Sequence, residues 1–278
     1  MSSTYNPPPE LPHDVGPEHE PVQAALPGAL KRAADENPAW NGWDVLRIAV
    51  VALATLSLFG AAALAVASRV TSHWKSLGDL TRDALVLIPA QLLSYAIVFA
   101  FMYVVVTRVY HRPFWAAVRW NQPKKSWLGF VGIGIALAIF VPVISSHLPV
   151  PKSLPIDQMF QTATDAYVMM IFGVAVAPLM EELFFRGFLY PVLVRRLGAV
   201  AAVILTAALF ALIHSSQLGR SWSALLVIFI VGLVLTVTRA LRKSVGASWL
   251  VHMAYNGTLS LLLFIGTDHF RHMDRLAQ

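Results

Sequence analysis

The 278-residue chain is 57% hydrophobic and 13% charged, against about 25% charged residues in a typical soluble domain. Its net charge of +6 does not indicate nucleic-acid binding, because the basic residues lie in short segments between long apolar runs, as in membrane proteins. The chain has no cysteine, which excludes disulfides, thiolate catalysis and iron–sulfur ligation.

The first stretch of the chain is polar and rich in proline, and it predicts a disordered N-terminal tail over residues 1–43. A solvated spacer is the favoured interpretation, and a segment that binds a specific partner is the alternative. The first apolar run begins near Val45 and is long enough to span a bilayer. We therefore expect no cleavable signal peptide.

Seven apolar runs follow, and each approaches the ~20 residues that a membrane-spanning helix needs. They predict an all-α polytopic membrane protein with about seven transmembrane helices and a buried polar active site. The predicted spans are 45–67, 84–106, 127–146, 167–194, 198–214, 222–239 and 246–266. The fourth contains Pro178 and Pro191, which favour a kink or a break. The fifth is short enough to end within the bilayer.

Loop charge predicts the orientation of the chain in the membrane. The loop at 107–126 has no acidic residue, and its basic residues are Arg108, Arg112, Arg119, Lys124 and Lys125. By the positive-inside rule this loop and the N-terminus are cytoplasmic, and an odd number of spans places the C-terminal tail outside. The pattern is typical of an integral protein of a bacterial plasma membrane.

Three charged residues lie near the middle of the fourth span: Glu181, Glu182 and Arg186. A charge at this depth costs at least ~2.5–3.5 kcal/mol, so such groups are usually functional. On a helix Glu182 and Arg186 are i,i+4 neighbours that can form an ion pair. Glu181 points about 100° away and could face a cavity as a general base. A structural polar cluster is the alternative, and the second glutamate favours function.

Two later spans add His214, His252 and Asn256. His252 and Asn256 are spaced i,i+4, so they share one helical face and can both donate to one developing oxyanion. His214 lies at the end of an apolar run, one turn after Phe210, where an interfacial histidine is the commoner explanation. Together with the glutamates, these residues suggest an active site buried in the membrane.

The motifs Glu-Glu-x-x-x-Arg, Phe-x-x-x-His and His-x-x-x-Asn, in this order on separate spans, resemble the CPBP family. This family contains CAAX proteases and bacteriocin-processing enzymes and is also called the Abi family. The resemblance covers roughly residues 165–262, and the first 120 residues carry no recognised signature. With the apolar runs, it predicts N-terminal transmembrane helices at 44–146, a CPBP-like catalytic membrane core at 160–266 and a C-terminal tail at 267–278.

The resemblance also implies a mechanism. Glu181 would activate water with the help of His214. His252 and Asn256 would form the oxyanion site, and Glu182 and Arg186 would orient the first motif. The catalytic residues would then be Glu181, Glu182, Arg186, His214, His252 and Asn256. The family is often described as metalloproteases, and Glu181, His214 and His252 could hold zinc with one open position. The motifs do not require a metal, and the cofactor stays open.

The predicted function is an intramembrane endopeptidase that hydrolyses membrane-associated peptides, either prenylated or transmembrane. The expected partners are the lipid bilayer and a membrane-embedded peptide or protein substrate, with no nucleic acid. A proton-coupled transporter that uses the Glu and His side chains as a relay is one alternative. A non-catalytic membrane scaffold or bacteriocin-immunity factor is another.

Overall fold

The computed structural model describes residues 36–71, 76–121, 126–151 and 153–272. Within these ranges every regular element is helical, and six helices are long and apolar enough to cross a membrane. A seventh apolar helix is shorter. The predicted all-α polytopic membrane fold is confirmed.

The seven apolar helices follow the predicted order, with ends within a few residues of the expected ones. They are α1 (Gly42–Thr71), α2 (Ala84–Val104, continued by a π-helical turn at Val105–Val109), α3 (Trp127–Ser145), α4 (Ala163–Leu197), α5 (Ala199–Ile213), α6 (Trp222–Arg242) and α7 (Val245–Gly266). Single helical turns lie between them at Leu77–Leu80, Phe114–Ala117 and Pro155–Met159. The 15 residues of α5 rise only about 22 Å, less than the ~30 Å of a hydrocarbon core. A helix of this length that starts at one surface of a bilayer ends within the hydrocarbon core, and His214, which follows its last residue, would then lie at membrane depth.

Helix α4 changes its winding twice along its length. Two π-helical segments, Phe172–Val176 and Leu183–Leu189, flank the α-helical turn Ala177–Glu182. A proline follows each π segment by two residues, at Pro178 and Pro191. The break expected at these prolines therefore takes the form of π segments, which are frequent at functional sites.

Each of these prolines leaves one backbone carbonyl without the amide that would continue the π pattern, because proline has no N–H. The affected carbonyls belong to Gly173 and Arg186, five residues before each proline. Side chains from other helices donate to these carbonyls in place of the missing amides. Asn256 Nδ2 donates to the Gly173 carbonyl at 2.7 Å, and Arg239 Nε donates to the Arg186 carbonyl at 3.1 Å. The breaks in α4 are thus tied to α7 and α6.

Helix α4 lies between two apolar clusters that hold its charged middle at the centre of the bundle. One cluster joins α4 to α1 and α2 around Met102 and Phe188, and the other joins it to α3, α5, α6 and α7 around Phe210 and Val251. Gly134 allows α3 to approach α7 closely, since a Cβ there would lie 2.4 Å from the Val251 carbonyl oxygen.

The last part of the predicted N-terminal tail is packed in the structure. Glu36 is buried between Arg239 (2.8 Å) and Arg119 (3.3 Å), and the buried Trp40 donates from Nε1 to the Phe188 carbonyl at 3.0 Å. Composition predicted a solvated tail over this stretch. The ion pairs of Glu36 and the hydrogen bond of Trp40 instead make residues 36–43 part of the fold. Residues 1–35 and 273–278 of the two predicted tails lie outside the described residues.

Candidate active site within the membrane span

The first feature of the site is a buried ion pair on α4. Arg186 Nη1 lies 2.9 Å from Glu182 Oε1, and both side chains are 0% exposed. Arg186 also donates to Thr236 Oγ1 at 3.3 Å and to the Gly232 carbonyl at 3.1 Å, both on α6. Its guanidinium lies 4.4 Å from the centre of the Phe210 ring. A buried charge needs such partners, and because these lie on other helices the pair joins α4 to α5 and α6.

Glu181 has a different environment from the neighbouring Glu182. Its side chain is 16% exposed, and it lines a cavity of about 450 Å³ between α1, α2, α4 and the end of α5. The structure therefore places one carboxylate in an ion pair and the other at an open space. A carboxylate that lies outside the buried ion pair and lines a cavity has the environment of a general base.

His214 lines the same cavity as Glu181. Its Nδ1 lies 2.7 Å from the carbonyl oxygen of Phe210, one turn earlier, and the two rings are 4.9 Å apart. A carbonyl oxygen only accepts hydrogen bonds, so Nδ1 carries the hydrogen and Nε2 of the neutral ring is an acceptor. The Phe-x-x-x-His spacing thus sets both the tautomer and the orientation of the imidazole.

His252 of α7 lies between the two glutamates and is 3% exposed. Its Nδ1 is 3.0 Å from Glu182 Oε1, and its Nε2 is 3.7 Å from Glu181 Oε2. The ring also packs 5.7 Å from that of Phe210. His252 therefore connects the buried ion pair to the carboxylate at the cavity.

Asn256 lies one turn beyond His252, as the spacing predicted, and its amide is engaged with the backbone of α4. Its Nδ2 donates to the Gly173 carbonyl, which Pro178 leaves unpaired. A primary amide has two N–H groups, so this bond uses one of them. The sequence indicated an oxyanion donor here but not this bond across the helices.

The zinc ligand set considered from the sequence does not fit the arrangement. Among the described residues, no three histidine, aspartate or glutamate side chains are grouped so that they could hold a metal ion. This applies to Glu181, His214 and His252. We derive no step of the reaction through a metal.

The cavity has a polar wall that the sequence analysis missed. Gln91, Ser94 and Tyr95 of α2 line it together with Glu181 and His214. The signal was present in the sequence, because these three residues are spaced i, i+3, i+4 in an otherwise apolar run. They are uncharged, so the rarity of charge in an apolar run, which identified the glutamates, does not identify them.

The comparison with known families supports the resemblance stated from the motifs. Residues 163–258 match the family described as Rce1-like, type II CAAX prenyl endopeptidase. The match contains all six predicted site residues, and it confirms the CPBP resemblance for this part of the chain. No curated protein and no solved structure matches the chain. The family and the apolar helices together indicate an integral membrane protein with the general activity of a membrane endopeptidase.

Proposed function

We propose that this protein is an intramembrane endopeptidase in which Glu181 and His214 activate the attacking water. The observation that supports this most is that both side chains line one cavity. Glu182 is paired with Arg186 and fully buried, so Glu181 is the carboxylate with access to water.

The proposed reaction is a general-base hydrolysis. A water molecule bound between the Glu181 carboxylate and His214 Nε2 gives a proton to Glu181 as its oxygen attacks the carbonyl carbon of the scissile peptide bond. The carbonyl oxygen becomes the oxyanion of a tetrahedral intermediate. Protonated Glu181 then gives its proton to the leaving nitrogen as the C–N bond breaks, which regenerates the carboxylate.

His252 and Asn256 are the proposed oxyanion donors, and the geometry sets conditions on each. Glu182 accepts the Nδ1 hydrogen of His252, so donation from Nε2 requires the doubly protonated ring. Asn256 would donate through its second N–H, the one that is not bonded to the Gly173 carbonyl. Donors of this kind are expected to act on charge that develops in the transition state.

The proposed substrates are membrane-associated peptides that enter from the lipid. Three apolar residues of the cavity wall, Leu53, Leu56 and Ile213, are also exposed on the outside of the bundle. The cavity therefore reaches the surface between α1 and the end of α5. A polypeptide that leaves lipid here would meet water inside a protein-walled space, where its backbone can be hydrolysed.

A cleavage assay in liposomes tests the proposal. The probes are a fluorescence-quenched farnesylated peptide ending in Cys-a-a-X, its unfarnesylated counterpart and a single-span transmembrane peptide. Glu181→Gln keeps the side-chain size and removes the base, so it should abolish cleavage of every probe that the unmodified protein cuts. Asp268→Asn, a similar change in an exposed turn, should have no effect.

The same liposomes distinguish the competing functions. Cleavage by Glu181→Gln at the rate of the unmodified protein would contradict the proposal. Proton flux that depends on Glu181, without cleavage of any probe, would favour a transporter. Neither flux nor cleavage, in a protein that keeps its fold, would favour a scaffold.

A further inference from the structure

We propose that Gln91 and Tyr95 of α2 bind the peptide backbone of the substrate beside the reacting bond. This inference rests on the proposed endopeptidase function. It assigns a role in the reaction to the N-terminal helices, which lie outside the matched residues 163–258.

The first observation is the position of the polar residues on α2. Between Ala84 and Phe101 the helix is apolar except for Gln91, Ser94 and Tyr95. Their i, i+3, i+4 spacing puts them on one face, and all three line the cavity that contains Glu181 and His214. Polar side chains within a membrane helix are costly and usually face a functional interior.

A hydrogen bond between helices explains one of these residues but not the other two. The Ser94 hydroxyl lies 2.7 Å from Thr55 Oγ1 of α1, so Ser94 joins two helices. Gln91 Nε2 instead donates to the Tyr95 hydroxyl at 3.0 Å, and this bond stays within one helix. It adds nothing to the association of α2 with its neighbours.

The pair offers complementary groups for a peptide unit. The Tyr95 oxygen accepts from Gln91, and no acceptor for the Tyr95 hydrogen lies within hydrogen-bond distance in the part of the chain that the structure describes. Gln91 keeps its amide oxygen as an acceptor. A donor and an acceptor thus lie side by side, matching the C=O and N–H of an extended strand.

The position of Tyr95 is fixed by the same helix that carries the candidate base. Its ring stacks on Phe172 of the first π segment of α4, with centroids 5.8 Å apart. A substrate strand that leaves water for this cavity loses hydrogen bonds that the protein must replace. Gln91 and Tyr95 are oriented to replace them next to Glu181.

Steady-state kinetics of Tyr95→Phe test the inference, with the probe that the unmodified protein cleaves in liposomes. The change removes the hydroxyl and keeps the ring on Phe172. A contact that is present in both the bound substrate and the transition state should raise KM roughly tenfold and leave kcat nearly unchanged. Gln91→Leu should act in the same direction. Tyr103→Phe is the matched control, since Tyr103 lies on the same helix outside the cavity lining.

Binding to an inactive background gives a second readout. The affinity of the uncleaved probe for Glu181→Gln should fall about tenfold when Tyr95→Phe is added, because the lost contact contributes to binding. Unchanged KM and affinity in Tyr95→Phe, with Glu181→Gln inactive, would overturn this inference and leave the endopeptidase proposal standing. A loss confined to kcat would also overturn it. Full activity of Glu181→Gln would overturn the endopeptidase mechanism itself.

Discussion

Glu181 and Glu182 have different environments because an α-helix turns by about 100° per residue. Glu182 points into the bundle, where Arg186 and His252 both contact its Oε1 oxygen. Glu181 points to the cavity beside His214. One residue holds the site in place, and the other is available for chemistry.

This division predicts opposite results for two equivalent substitutions. Glu182→Gln should lower the free energy of unfolding by about 3–5 kcal/mol, because it leaves Arg186 as a buried charge with neutral partners. Glu181→Gln should leave stability nearly unchanged and abolish cleavage. Denaturation of the detergent-purified variants measures the first effect, and cleavage per folded protein measures the second. A stable but inactive Glu182→Gln beside an active Glu181→Gln would reverse the two roles.

The donor arrangement also makes a prediction about metals. Since the site residues are not grouped for metal coordination, activity should survive dialysis against a chelator. Metal content and cleavage should be measured on the same preparation, with His252→Ala as a comparison. Inactivation by the chelator, reversed by zinc, would show that His214 and His252 rearrange into a ligand set.

At the level of elements, the breaks in α4 link the site to the rest of the bundle. Each π segment contains a carbonyl that a proline leaves unpaired, and a side chain of α6 or α7 donates a hydrogen bond to it. The second π segment starts directly after Glu182. Removing one of these side chains should therefore disturb both the helix and the site.

A double substitution separates the structural role of Asn256 from a catalytic one. Asn256→Ala should cost about 1–3 kcal/mol, because the Gly173 carbonyl loses its partner. Pro178→Ala supplies an N–H five residues along and should recover part of that loss. If Asn256 also donates to the oxyanion, the kcat of the double variant should remain ~10²–10³-fold below that of the unmodified protein.

Unfolding and turnover of the single and double variants are the measurements. Pro191→Ala is the matched control, because it makes the same change at the other π segment and should not rescue Asn256→Ala. Full turnover of the stabilised double variant would leave Asn256 with a structural role alone.

The spans could be predicted from the sequence because apolar length is read directly against the thickness of a bilayer. The winding of α4 could not, since hydropathy does not show which amide meets which carbonyl. Pro178 indicated a break, but Asn256, which donates to the carbonyl that this proline leaves unpaired, is 83 positions from Gly173 in the chain. The six candidate residues were found because charged and imidazole groups are rare at membrane depth. Gln91 and Tyr95 were missed because neither is charged.

Across the whole molecule, a series of polar contacts joins the first described residues to the cavity. Glu36 pairs with Arg239, and Arg239 donates to the carbonyl of Arg186. Arg186 pairs with Glu182, and His252 lies between Glu182 and Glu181, which lines the cavity. The segment that composition placed in a tail is therefore one end of the network that positions the site.

Glu36→Gln tests how much the fold depends on this segment. The substitution leaves Arg239, which is 1% exposed, without its carboxylate, and it removes the Arg119 pair as well. We expect the free energy of unfolding to fall by about 3–5 kcal/mol, as for other buried pairs. Arg47→Gln is the control, because Arg47 is 68% exposed and its pair with Asp44 should contribute only ~0–1 kcal/mol. Denaturation of both variants in one detergent provides the comparison, and equal stability would show that the buried pairs of Glu36 do not hold the segment in place.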